Sequence, residues 1–266
     1  MGGRGSKLYF TTNPTVVPAS PKVQIQQQPI PVAQQPPNDT NTPVQPNALT
    51  ALSSMSDAQL AQLFTSSQQV SMPNHLSDVD DITQKFVYAA GLNEKPQVLD
   101  AAEFSKFMSD NNIPQSQIIS RSINGGTLQS SAGRITQLSA QQVADMAMYS
   151  KLNYVGGKHG GQAYGAGTYF DMNGGGNTGY GGKTLTAVLN PKTARVISLS
   201  DLRSKAAAFD RANPAFRRAT GGFSMGFHNN NMSVYALAMG YNVIRSGSAG
   251  SGYHNVIDRS ALVYKK

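Results

Sequence analysis

The sequence predicts an α+β protein, with helices first and strands with inserted helices after them. Apolar residues recur at helical spacing within residues 56–110, and polar and apolar residues alternate in Lys183–Leu189. The nearly continuous apolar stretch Asn231–Gly240 predicts one buried helix among the strands. Helices followed by a mostly β segment are typical of α+β architecture.

Residues 1–50 are predicted to form a disordered arm. They are rich in Pro, Gln, Asn and Thr and poor in apolar side chains, so burial cannot offset the entropy lost on ordering. Proline makes such an arm an extended tether. An arm of this kind can bind by lying along a partner, which its composition neither shows nor excludes.

Residues 51–112 are predicted to be a helical scaffold. Each helix has a start or stop signal: a capping serine, acidic residues in the first turn, a terminal glycine or, for the third helix, the following Pro114. The predicted helices run from Ser56 to Phe64, from Ser77 to Gly91 and from Ala101 to Asp110.

Residues 113–266 are predicted to form the main domain. Strands are expected at Gln117–Ile123, ending at Tyr169–Phe170, and at Lys183–Leu189, Ala194–Ser198, Tyr241–Ile244 and Tyr253–Tyr264. Helices are expected after the capping Ser139, from Ser200 and at Asn231–Gly240.

The strand Gln117–Ile123 carries an arginine, Arg121, between isoleucines. A guanidinium is out of place on a buried strand unless it has a partner or a ligand. The alternative is an edge strand with Arg121 facing water, and both interpretations remain open on this segment alone.

The stretch Tyr164–Asn190 holds eight of the 26 glycines, and Tyr169 and Tyr180 lie eleven residues apart in it. Glycine lets a backbone approach a ligand closely, and two tyrosines could present flat faces to a planar group. The alternative is a glycine-rich surface loop with two packed tyrosines.

Charge is unevenly distributed. Residues 1–112 carry six Lys/Arg and nine Asp/Glu (−3), whereas residues 113–266 carry sixteen and five (+11), which sum to +8. A basic domain attracts polyanions such as nucleic acid or a dinucleotide. Because the basic residues are scattered, a solvated basic surface is favoured over a nucleic-acid groove.

Several chemistries are disfavoured by what the sequence lacks. There is no cysteine, the histidines have no metal-ligand spacing, and neither a P-loop nor a Gly-x-Ser-x-Gly elbow is present, so no metal is expected. There is no apolar run long enough to cross a membrane and no apolar leader, so we expect neither a membrane partner nor a signal peptide.

Three motifs in order resemble the ADP-ribosyltransferase superfamily: the strand with Arg121, the Gly-x-Gly-Thr-Tyr-Phe loop with a second tyrosine, and the segment Tyr253–Leu262, YHNVIDRSAL. The phrases GLNEKP, YGAGTYFD and IDRSALVY more narrowly resemble ADP-ribosyltransferase-like proteins of phages of Gram-positive bacteria. The resemblance covers roughly residues 77–266 and implies a split antiparallel β-sheet that holds NAD between two small sheets.

The resemblance also implies a set of site residues. Arg121 would hold the ribose and nicotinamide end of NAD, and backbone groups at Ser122 would bind the carboxamide. Tyr169 would pack against nicotinamide, Tyr180 would stack on its ring, and Asn177 would bond the carboxamide. Aromatic faces suit an electron-poor pyridinium, and a guanidinium suits ribose or phosphate oxygens.

The sequence departs from this family at the late strand, where active members carry a glutamate and this chain has Tyr253. No glutamate follows Glu103. The carboxylates left for this role are Asp171 and Asp258, and members without the glutamate are weak mono-transferases or inactive.

Two functional hypotheses follow. In the first, a phage-encoded protein binds NAD and transfers ADP-ribose to a protein target, in the virion or the host cytoplasm, with Arg121 and Tyr253 at the catalytic positions. In the second, a degenerate transferase fold serves as a virion protein that contacts capsid or portal proteins through residues 1–50. Nucleic-acid binding by the basic domain is the weakest prediction.

Overall fold

The computed structural model describes residues 48–71, 75–76, 81–92, 94–129, 135–149, 167–172, 182–225, 230–248 and 251–266. These described residues all belong to one compact unit. It combines helices with a mostly antiparallel sheet, so the predicted α+β class is confirmed. Within the described residues, no helix is both long enough and apolar enough to cross a membrane.

The secondary-structure elements follow one another as mixed helices and strands. The helices are α1 Ala48–Ser53, α2 Asp57–Ser67, α3 Asp81–Ala89, α4 Ala101–Asp110, α5 Ala140–Tyr149, α6 Leu199–Ala212, α7 Pro214–Thr220 and α8 Met232–Ala238. The strands are β1 His75–Leu76, β2 Gln97–Leu99, β3 Ile119–Ile123, β4 Gly126–Gln129, β5 Ile135–Leu138, β6 Thr168–Asp171, β7 Lys183–Leu189, β8 Val196–Ser198, β9 Val243–Ser248, β10 Ser251–Val256 and β11 Leu262–Lys265.

Side-chain caps explain where several helices begin. Ser56 and Gln59 form a capping box at the start of α2, and Asp100 and Glu103 form another at the start of α4. Helix α6 begins directly after β8 because the hydroxyl of Ser198 accepts a hydrogen bond from the amide of Asp201. The predicted start at Ser200 was therefore one residue late.

Eight strands form the main sheet, in the order β2-β11-β7-β3-β6-β10-β9-β8, and β1, β4 and β5 form a small second sheet. Neighbouring strands are antiparallel except for β2 with β11 and β8 with β9. One face of the main sheet, which carries Ile119, Phe170 and Leu185, packs in a shared core with α5; we call it the α5 face. On the opposite face, Val188 and Val263 pack with Phe104 of α4.

A second, helical core joins the N-terminal helices to the far end of the sheet. It contains the buried side chains Leu52 of α1, Phe86 of α3, Phe216 of α7 and Tyr235 of α8, together with Ile244 of β9. The region predicted as a helical scaffold, 51–112, thus shares a core with the predicted domain 113–266.

Three sequence predictions need correction. Residues 48–50, assigned to the arm, begin α1, while residues 1–47 lie outside the described residues. The scaffold region also supplies a strand, because β2 pairs with β11. The predicted last strand, Tyr253–Tyr264, is two strands, since the 3-10 turn Arg259–Ala261 separates β10 from β11.

Candidate functional site

The main sheet is nearly divided between β3 and β6. Strand β3 pairs with β7 along its whole length, and β6 pairs with β10 along its whole length. Between β3 and β6, however, the only registered pair in the described residues is Ser120 opposite Asp171. The sheet therefore consists of two four-stranded halves, β2-β11-β7-β3 and β6-β10-β9-β8, that meet at one position.

Arg121 crosses this division. Its Nη1 donates a hydrogen bond to the carbonyl oxygen of Tyr169 on β6, at 3.4 Å. The side chain is half-buried, between the buried Ile119 and Ile123 on the α5 face. Because β3 has a neighbour on both sides, the alternative of an edge strand with Arg121 facing water is wrong.

The other sequence-predicted strand residues near the division lie on the face opposite α5. Successive strand residues point to opposite faces, and paired residues share a face. Ser120, Asp171 and Tyr253 are aligned across β3, β6 and β10, so their side chains share the face opposite α5. Tyr253 is 42% exposed there.

Ser122 and Tyr169 lie on that same face, on the strands that border the division. Among the described residues, the hydroxyl oxygen of Ser122 is buried and has no hydrogen-bond partner. Tyr169 is half-buried and lies opposite Asn255 of β10. The remaining two predicted residues, Asn177 and Tyr180, lie outside the described residues.

The two candidate carboxylates have different surroundings. Asp258 is 1% exposed, and it accepts hydrogen bonds from the amide and hydroxyl of Ser260 and from the side chain of Asn242. Burial raises its pKa, and those hydrogen bonds oppose the rise. Asp258 thus caps the 3-10 turn, whereas Asp171 lies beside Tyr253 at the division.

Arg259, like Asp258, makes hydrogen bonds that stabilise the fold. Its Nη1 donates to the carbonyl oxygens of Met146 and Ala147, at 3.1 and 2.6 Å, in the last turn of α5. A cation suits the C-terminal end of a helix, where carbonyl groups lack helical partners. Arg259 therefore holds the turn after β10 to the end of α5.

His254 is a polar residue near the division that sequence reasoning did not assign to the site. It lies on the α5 face, opposite Phe170 on β6 and Arg245 on β9. Burial, and to a smaller extent the charge of Arg245, lowers its pKa to about 4. Because successive strand residues point to opposite faces, its position next to Tyr253 could have placed His254 on the α5 face.

The described residues contain no group of three or more His, Cys, Asp or Glu that could hold a metal ion. Comparison with protein-family models, with curated proteins and with solved structures found no match for this chain. Function is therefore inferred from the residues around the division. The fold places a guanidinium, a buried hydroxyl, two tyrosines and a carboxylate on three neighbouring strands, β3, β6 and β10.

Proposed function

We propose that this chain is a phage-encoded, ADP-ribosyltransferase-like protein that binds NAD at the division between β3 and β6. One observation supports this most strongly: Arg121, on β3, reaches across the division to the strand that carries Tyr169. Two of the three motifs behind the resemblance thus border the division, and the third begins on β10, the strand next to β6.

The residues at the division suit the chemistry of NAD. A guanidinium can donate several hydrogen bonds to ribose or pyrophosphate oxygens. The unbonded hydroxyl of Ser122 offers a further polar contact for a ligand amide or hydroxyl. The ring of Tyr169 can pack against the pyridinium of nicotinamide.

Asp171 supplies the carboxylate in this proposal. In the transfer, the bond between the ribose C1′ and the nicotinamide nitrogen breaks, and its electron pair leaves with nicotinamide. A nucleophile of the target protein then bonds to C1′ and loses its proton to solvent. A carboxylate stabilises the positive charge that develops on the ribose, and Asp171 lies next to Tyr253, where the family has a glutamate.

The test is incubation of the purified protein with labelled NAD and host lysate, following nicotinamide release and transfer of label to protein. We expect transfer by the parent and a loss of about 100-fold in Asp171→Asn, because an amide cannot stabilise the cation. Asp110→Asn, on the exposed end of α4, is the matched control and should keep parent activity.

Unchanged transfer in Asp171→Asn would overturn the assignment of the carboxylate. No nicotinamide release by the parent would overturn the transferase activity. In that case the virion hypothesis gains weight, and copurification with capsids should depend on residues 1–50.

A further inference from the structure

Three exposed arginines lie on the consecutive helices α6 and α7: Arg203 and Arg211 on α6 and Arg217 on α7. We call these three residues the arginine surface. They are separated by eight and six residues, so in the sequence they are scattered. Residues 199–225, which contain both helices, carry five Arg/Lys and two Asp (+3), so the surrounding surface is basic.

The fold brings Arg203 and Arg217 to one face of α6. Arg203 and Asp210 are seven residues apart, which is two helical turns, so they share a face about 10 Å apart along the axis. A Cβ at Gly222 would lie 3.7 Å from the carboxylate of Asp210 and 3.9 Å from Nε of Arg217. At the other end of this face, Nε of Arg203 donates a hydrogen bond to the sulfur of Met225 at 3.0 Å. The two guanidiniums thus lie along the same loop, 222–225.

Within the described residues, the arginine surface has no carboxylate partner. Asp210 accepts hydrogen bonds from the hydroxyl of Tyr235 and, at 3.3 Å, from the amide of Phe223. Asp201 accepts one from the hydroxyl of Ser198 at 2.6 Å, at the start of α6. No ion pair between described residues joins any of the three guanidiniums to a carboxylate. The positive charge of the arginine surface is therefore not neutralised by these neighbours.

These features suit the phosphodiester backbone of a nucleic-acid duplex. A guanidinium donates hydrogen bonds in a planar fork that matches phosphate oxygens. A separation of about 10 Å corresponds to about three base pairs, so one strand of a duplex can contact both ends of the arginine surface. Neither α6 nor α7 has an exposed aromatic side chain on which the bases of a single strand could stack, which favours a duplex over a single strand.

We propose that the arginine surface binds the phosphate backbone of double-stranded nucleic acid without reading its sequence. Contacts to phosphates provide affinity and position the duplex, but they carry no sequence information. The proposal does not depend on NAD. Helix α6 packs at the β8–β9 end of the main sheet, whereas the division lies between β3 and β6.

The test uses the full chain and a short fluorescein-labelled DNA duplex of mixed sequence, with fluorescence anisotropy as the readout. At about 50 mM salt, Arg203→Gln/Arg217→Gln should bind at least about tenfold more weakly than the parent. The matched control Lys95→Gln/Lys106→Gln makes the same charge change at exposed positions near β2, at the opposite edge of the main sheet, and should retain binding. Circular dichroism checks that both variants keep the parent fold.

Salt dependence separates phosphate contacts from general charge attraction. Each phosphate contact contributes about −0.9 to the slope of log K against log salt concentration. Arg203→Gln/Arg217→Gln should therefore reduce the magnitude of the slope by about two, and Arg211→Gln, which removes one exposed guanidinium, should reduce it by about one. The control double variant should keep the parent slope.

Three results would each overturn the proposal: no saturable binding, equal binding by the two double variants, or a slope that the arginine variants leave unchanged. Tighter binding of polyglutamate than of the duplex would also overturn it, in favour of an acidic protein partner. Tighter binding of a single strand of the same length would overturn the assignment to a duplex.

Discussion

Gly167 lies where β6 begins, and packing requires it to be a glycine. A Cβ at this position would collide with the side chain of Asn255 and would lie 3.0 Å from the carbonyl oxygen of Val256. Strand β10 thus approaches the backbone of β6 closely at the second glycine of the Gly-x-Gly-Thr-Tyr-Phe loop. The sequence predicted close approach to a ligand in this loop, but the described contact is with the protein itself.

The Gly167→Ala variant should be destabilised by about 1–3 kcal/mol, because the added methyl group overpacks the contact with Asn255. Urea unfolding measures the effect. Gly182→Ala is the matched control: its nearest contact would be the Cβ of Ala140 at 3.9 Å, so a change within about 0.5 kcal/mol is expected. Equal stability of the two variants would contradict this packing role.

His254 should make the protein less stable in acid. Its folded-state pKa of about 4 lies below the ordinary value of 6.5, so between these values the unfolded chain binds more protons. The stability that neutral His254 contributes is therefore present above about pH 6.5 and is lost as the pH falls towards about 4. The size is on the order of 2 kcal/mol after allowance for partial exposure.

The measurement is urea unfolding of the parent and of His254→Phe at several pH values. Asp258 titrates in both proteins, so its opposite contribution cancels in the difference between them. The parent should lose stability relative to the variant as the pH falls from about 7 to about 4.5. A difference that does not change with pH would show that burial does not disfavour the charged imidazole.

Local pattern predicted most individual elements but not their partners. Alternation placed β7 correctly, and capping serines placed α2 and α5. The strand predicted at Gln117–Ile123 begins only at Ile119, because Gln115–Gln117 form a 3-10 turn. The turn between β10 and β11 was missed because it contains neither Gly nor Pro, and Asp258 and Arg259 form it through contacts with Ser260 and α5. The division between β3 and β6 depends on pairing between distant segments, which no local pattern reveals.

Arg259 should stabilise α5 through its two hydrogen bonds to the carbonyls of Met146 and Ala147. Arg259→Met keeps much of the side-chain volume but removes these donors, so we expect a loss of about 2–4 kcal/mol in urea unfolding. Arg218→Met, at an exposed position on α7, should change stability by less than about 0.5 kcal/mol. A loss no larger than that of the control would indicate that α5 does not need this anchor.

The molecule is held together by contacts between its first helices and its second half. The carboxylate of Asp57, at the start of α2, accepts hydrogen bonds from the amides of Ala215 and Phe216 at 2.9 and 2.8 Å. These amides are in the first turn of α7, so a residue from one helix caps another that is distant in sequence. Residues on the two sides of the predicted boundary at residue 112 are therefore in direct contact.

Asp57→Ala should lower the global stability by about 1–2 kcal/mol, since the cap of α7 is lost. Chemical unfolding followed by two probes, circular dichroism and tyrosine fluorescence, should show one shifted transition. Asp110→Ala removes only an exposed ion pair with Lys106 and should cost less than about 1 kcal/mol. Two separate transitions in the Asp57→Ala protein would contradict a shared core.

NAD binding measured by titration calorimetry tests the proposed function most directly. The parent should bind NAD, and Arg121→Ala and Tyr169→Ala should each weaken binding by at least about tenfold while circular dichroism shows a retained fold. Tyr88→Ala, which removes an exposed ring on α3, should bind like the parent. Equal binding by the parent and both site variants, or no binding by the parent, would contradict an NAD site at the division.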